Sequence, residues 1–330
     1  MPTVDGPALD RMAEMRARAL LNAIGVDSGE PAYRLPSVTN EVWSAGDMIV
    51  RLNRRVDGRL TTEAAIADRL PTEIGYPEIV DAGVTEGIEW MATRRLPGVA
   101  LSRVWPRIGP DERLALTGEL AHRLRCLHQT DGRGLGISSV PPQLVDFGSH
   151  DPLHRLRAGL TKAYQLDHVP KSLMMAVAAL VEDAAHLIDT RRPTTLVHGD
   201  LTFENVLYHD GHIQAVLDFE WARPAPPDLD LDVLLRFVAY PKLHVAADYE
   251  SLTTGDMYRA LPRQIEAAYP ELFAHPGLFG RLLVYSIGFD TRELLRFPPT
   301  RPVNELGPSH PLIRLRNTAE GTSHLHGFAR

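Results

Sequence analysis

The chain has 330 residues, 44% of them hydrophobic and 23% charged; it can bury a substantial core, and its length sets a prior of roughly two domains. This composition excludes a wholly disordered chain. Its 35 basic and 42 acidic side chains leave a net charge of −7, which argues against a nucleic-acid partner and leaves room only for a local basic groove. A single cysteine, Cys126, excludes an intrachain disulfide and a thiolate metal cluster, and suits a reducing compartment.

At the amino terminus, charges interrupt every apolar stretch of Met1–Val26, so no secretory h-region is expected. The longest apolar run, Leu173 to Val181, stops at Glu182 and Asp183, short of the roughly 20 residues that cross a bilayer. A soluble, cytoplasmic protein with no membrane contact is expected. Lysine occurs only at Lys162, Lys171 and Lys242, so any basic role in the first 161 residues falls to arginine or histidine.

Leu9, Met12, Ala13, Leu20, Leu21 and Ile24 share a stripe at helical spacing, which predicts an opening amphipathic helix ended near Gly25. Short apolar or alternating runs at Met48–Leu52, Ile79–Ala82 and Ile88–Ala92 predict strands, the last two joined by Thr85-Glu86-Gly87. Between them, Thr61 to Leu70 reads as a helix with Thr61 or Thr62 as N-cap. After Leu96-Pro97-Gly98 the period turns helical. Leu116, Leu120, Leu124 and Leu127 share one face, Leu153, Leu156, Leu160 and Tyr164 another, and Leu173, Val177, Leu180 and Leu187 a third. One β interruption follows: Thr195–Val197 leads into His198-Gly199-Asp200, and Asn205–Tyr208 and Ile213–Leu217 flank His209-Asp210-Gly211 like a hairpin.

The stretch 196–232, LVHGDLTFENVLYHDGHIQAVLDFEWARPAPPDLDLD, places Asp200, Asn205 and Asp218 at spacings of 5 and 13 around that hairpin. Three oxygen-bearing side chains can converge there. Two carboxylates and an amide suit a hard cation such as Mg²⁺, which fills its remaining positions with water and phosphate oxygens.

These motifs resemble the kinase-like phosphotransferases that include aminoglycoside and macrolide phosphotransferases, choline kinases and homoserine kinases. The match is His-Gly-Asp, Asn205 beyond it, and Asp-Phe-Glu where protein kinases carry Asp-Phe-Gly. The resemblance implies an α+β, bilobal protein-kinase-like fold, with a nucleotide-binding lobe over 1–92 and a hinge and catalytic lobe over 93–330. It implies that Asp200 accepts or orients the proton of the attacking hydroxyl, and that Asn205 and Asp218 hold Mg²⁺ on the phosphates of ATP or GTP. His198 is then a structural imidazole, and Asp230 supports the loop or caps a helix. Gly199 stands where protein kinases place an arginine that pairs with an activation-loop phosphate. Only about a dozen residues separate Asp218 from Asp230, too few for such a loop, which favours small-molecule over protein acceptors.

The segment from Pro36 to Trp43, followed by Ile49–Leu52, looks like the family's nucleotide-covering hairpin, with Ser37, Thr39 and Asn40 offering donors to phosphate oxygens. Arg51 stands where most kinases have a lysine, and can bind phosphate through its fork. Glu63 matches the glutamate that steadies that base, with Glu73 as the fallback. Glu89 through Gly98 resembles the interlobe hinge, so the backbone of Thr93, Arg94 and Arg95 is expected to face the nucleobase.

Other features carry less. Cys126, within LRCLH, reads as a small buried filler, and His209 with His212 lacks a third zinc ligand. The tail pair His324 and His326 is expected to be mobile. Trp43, Trp90 and Trp105 read as packing, and Trp221 as packing or the acceptor side.

Residues 151–330 hold 22 acids and 18 bases, a balance of −4, which fits a neutral or mildly charged sugar-bearing acceptor at least as well as a polycation. The leading expectation is phosphorylation of an antibiotic hydroxyl as resistance or self-protection. The enzymatic alternative is a metabolic kinase for homoserine, choline or a free sugar. The alternative of another class is a nucleotide-binding pseudokinase scaffold, motivated by the missing lysine.

Overall fold

The computed structural model describes residues 6–23, 32–35, 37, 40–135 and 144–327. It opens with helix α1 (Gly6–Ala23), then strands β1 (Tyr33–Leu35), β2 (Glu41–Ala45) and β3 (Met48–Asn53), helix α2 (Arg59–Ala67), and strands β4 (Ile79–Thr85) and β5 (Ile88–Arg94). The strands form one antiparallel sheet in the order β1-β2-β3-β5-β4. Its core gathers Trp43, Ala45, Met48, Val50, Leu52, Trp90 and Ala92, closed by Ala17, Leu20 and Leu21 of α1. Alternation in β3 explains the sheet: Met48, Val50 and Leu52 turn inward, and burying each is worth roughly 1.5–3 kcal/mol.

The second region begins with β6 (Val99–Ala100), α3 (Leu101–Val104), α4 (Pro110–His128), α5 (His154–Tyr164) and α6 (Lys171–Ala184). Strand β7 (Leu196–Val197), the hairpin β8 (Val206–His209) and β9 (His212–Val216), and β10 (Arg223–Pro224) follow. Helices α7 (Asp228–Ala239), α8 (Leu261–Ala268), α9 (Leu278–Arg296) and α10 (Pro311–Ala319) complete it. β6 pairs with β8, and β7 with β10. Asp210 and Gly211 both take positive φ, 47° and 87°, the turn chemistry that joins a tight two-residue hairpin. The fold is thus α+β with a sheet-rich small lobe and a helical large lobe.

Several local expectations need correction. The N-cap of α2 is Gly58 at φ 76°; Thr61 instead donates its N–H and hydroxyl to Glu89, each at 2.9 Å. Met12 on α1 is 60% exposed, and the side chains of Leu9 and Ala13, with Ile24, lie outside the described residues. On α6, Val177 of the expected face is buried and Leu173 and Leu180 pack partly buried against the core, with Leu187 beyond it, but the most buried residues also include Met174, Val181 and Ala184. The tail histidines are packed, His324 edge-on to Tyr240 and His326 to Phe279. Cys126 is only partly buried.

Candidate active site

The loop between β7 and β8 carries His198, Gly199 and Asp200, and its shape is imposed from below. Asp230, inside α7, accepts the N–H of His198 at 2.8 Å and of Gly199 at 2.7 Å. Its carboxylate is also 3.1 Å from His128 Nε2 on α4. Burial opposes ionisation of Asp230, but the hydrogen bond and charge of His128, with His198 and the Gly199 N–H, outweigh it and hold the carboxyl below its usual range. His198 is fully buried. Its Nε2 donates to Leu217 O at 2.9 Å and its Nδ1 accepts the Asp200 N–H at 3.2 Å, a tautomer assigned from the partners. One imidazole therefore ties the Asp200 loop to the end of β9.

Asn205 completes the tie. Its side-chain amide Nδ2 donates to Asp200 O at 2.8 Å, and its main-chain carbonyl accepts the Leu217 N–H at 2.8 Å. The amide is thereby oriented and its Oδ1 is left for another partner. Asp218 follows at φ 65°, a left-handed conformation that is uncommon outside glycine, costs roughly 1–3 kcal/mol and concentrates at functional sites.

Asp218 meets the small lobe through Arg51. The guanidinium donates to Glu63 Oε2 and to Asp218 Oδ1, both at 2.6 Å, and lies 3.5 Å from Glu220. Burial alone would depress the Arg51 pKa; the Asp218 and Glu63 carboxylates more than reverse this and keep it charged. Glu63, rather than Glu73, is the partner. It is fixed further by Tyr76 Oη at 2.7 Å and the Phe219 N–H at 2.9 Å.

Glu220 closes the arrangement from the other side, accepting from Asn40 Nδ2 and Arg59 Nη1 at 3.0 Å each. Burial and the neighbouring Asp218 push its carboxyl up to about 7. Asn40 is thus tied to the loop that follows Asp218, Ser37 is exposed, and Thr39 lies outside the described residues. Thr93 pairs with Ile49 in the sheet. The N–H groups of Arg94 and Arg95 are taken by Glu78 O at 2.8 Å and Asp47 O at 2.6 Å. Their donors serve the small lobe, which narrows what the expected base-facing backbone can offer.

Burial, then Asp218 and Glu220, push the Asp200 carboxyl up to about 8, against the weaker pull of Arg292 and Arg236. Three carboxylates in one electrostatic neighbourhood form a site that favours added positive charge. Glu220, Tyr76, Arg59 and His128 were not singled out from the sequence. Glu220 stands inside the Asp-Phe-Glu motif and was legible there; Tyr76 and His128 carry no local signal.

The profile of the phosphotransferase enzyme family matches residues 37–262. The chain belongs to that family. Among curated proteins it is similar to an aminoglycoside 3'-phosphotransferase of Streptomyces ribosidificus, 28% identical over 220 residues, which are 64% of this chain and 78% of that one. Among solved structures it is similar to a streptomycin-ATP ternary complex of APH(2")-IIa, with TM-score 0.64, 14% identity, and coverage of 98% of this chain and 100% of that one. Aminoglycoside phosphotransferase APH(4)-Ia with AMP-PNP and hygromycin B gives TM-score 0.61, 17% identity, and coverage of 92% and 95%. This family membership makes the chain a small-molecule phosphotransferase with a kinase-like fold. Among the described residues, no helix is long and apolar enough to cross a membrane.

Proposed function

We propose that the chain transfers the γ-phosphoryl group of ATP or GTP to a hydroxyl of a sugar-bearing antibiotic, in the manner of the aminoglycoside-modifying proteins it resembles. The observation that carries this reading is the anchoring of the Asp200 loop through His198 and Asp230, together with an Asp218 that reaches Arg51 of the nucleotide-covering sheet.

Asn205 and Asp218 would hold Mg²⁺. The donors fit: an oriented amide with a free carbonyl oxygen and an accessible carboxylate are hard oxygen ligands. The ion supplies charge neutralisation on the phosphate oxygens when bound. Arg51, steadied by Glu63 through Nη1, would turn Nη2 from Asp218 to the same phosphates. Asp200, once ionised, accepts the acceptor's hydroxyl proton as that oxygen bonds to the γ-phosphorus and the bond to the leaving diphosphate breaks. Catalysis is then mainly orientation and electrostatic stabilisation. The ion pair of Arg51 with Glu63 removes the motive for a pseudokinase reading, since an arginine here makes the contact expected of the missing lysine.

Replacing Asp218 with alanine should weaken metal-nucleotide binding by about 10-fold or more, read by calorimetry, while Asp200→Asn leaves that binding near wild type. Equal binding by the wild type and Asp218→Ala would reject the metal assignment.

A further inference from the structure

Three metal-ligating side chains of different chemistry meet at α4, and phosphoryl transfer uses none of them. Glu73 sits in the turn Thr72–Ile74 that follows α2. His122 and Cys126 are four residues apart on α4, one helical turn, and so share a face. One ligand atom from each residue lies within 4.8 Å of the others, and Cys126 Sγ is 3.8 Å from His122 Nε2. In a tetrahedral zinc site, bond lengths of roughly 2.0–2.1 Å to nitrogen and 2.3 Å to sulfur place those two atoms about 3.6 Å apart. A small side-chain adjustment closes the set.

The backbone around the cluster is already fixed. Arg123, between the two α4 ligands, donates to Glu73 O and to Ile213 O, fastening the turn to α4. Glu73 and His122 are exposed and Cys126 partly so, which leaves an ion a path from solvent.

We propose that Glu73, His122 and Cys126 form a zinc site with water in the fourth position. A thiol, an imidazole and a carboxylate are a borderline-soft donor set that suits zinc over magnesium or calcium. Burial and the Glu73 carboxylate push the Cys126 thiol up, while Arg125 and Arg123 pull the other way. A dication between carboxylate and sulfur reverses that balance and deprotonates a coordinating thiol outright. The two arginines are held elsewhere, Arg123 by the carbonyls above and Arg125 by Ala268 O and Glu271. An ion here ties the turn after α2, the helix that carries Glu63, to the large lobe.

Cobalt(II) titration of the metal-free, nucleotide-free full chain tests the site. Cys126 is the only cysteine, so thiolate-to-cobalt charge transfer can arise nowhere else, whatever ions gather at Asn205 and Asp218. A charge-transfer band saturating at one equivalent and displaced by zinc is expected. In His122→Ala and Glu73→Gln, which keep the thiol and alter exposed side chains, cobalt should bind about 10-fold or more weakly. No band in the folded wild-type chain overturns the site, and an unshifted titration in either variant overturns the three-ligand assignment.

Discussion

At the residue scale, Asp200 carries opposite demands of stability and chemistry. Its folded pKa of about 8 lies above an ordinary aspartate value of about 3.9. Between those values the folded state binds more protons than the unfolded one, so Asp200 costs stability progressively as pH rises from about 4 to about 8. Asp200→Asn should therefore raise the denaturant midpoint of the nucleotide-free chain. The gain should be small at pH 4 and on the order of 2 kcal/mol at pH 8, discounted for partial solvation. Transfer should fall roughly 100- to 10,000-fold. A variant gain that shrinks toward pH 8 would contradict the electrostatic account. Gly199 is a second such residue. It has φ 81°, and a Cβ there would lie 2.5 Å from Trp221 O, so an arginine of the protein-kinase kind has no room. Gly199→Ala should lose at least about 1–2 kcal/mol of stability from the backbone conformation alone, read by urea unfolding.

At the element scale, the site is a junction of the β8–β9 hairpin with β3 and α2, and its ties run through acidic side chains. Glu220 links the small-lobe hairpin through Asn40, α2 through Arg59, and the Asp218 loop by its own position. Glu220→Ala should raise the nucleotide KM about 10-fold with a smaller change in kcat, because it loosens the nucleotide cover while Asp200 keeps its supports. An unchanged KM would separate Glu220 from nucleotide binding. Arg51→Ala should cost more on the same measurement, and Arg51→Lys should recover only part, since lysine cannot bridge Glu63 and Asp218 with a planar fork. Much of this was legible: the strands Met48–Leu52 and Ile88–Ala92 and the hairpin at His209–Gly211 from spacing, and the pairing of Arg51 with Glu63 from the resemblance to kinase-like phosphotransferases. The cap of α2 and the burial of Met174 and Val181 on α6 were not. Glu89 recruits Thr61 from a distant strand, and α6 packs against α5, α9 and α10, influences that local pattern does not contain.

At the scale of the whole molecule, two lobes of unlike composition meet over a shared set of charges, with Arg51 on one side and Asp218 on the other. The acceptor was the least legible part of the sequence, because no short motif marks it, and only the −4 balance of residues 151–330 bears on it. The central claim is phosphoryl transfer to a small-molecule hydroxyl with Asp200 as base. The most direct measurement is mass spectrometry of a panel of aminoglycosides and other sugar-bearing antibiotics, with homoserine, choline and free sugars, incubated with the chain, Mg²⁺ and ATP or GTP. The account predicts at least one antibiotic gaining a single phosphoryl group with the wild-type chain and none with Asp200→Asn. Product formed equally by both proteins, or no phosphorylated acceptor from a wild-type chain that binds nucleotide, would contradict it.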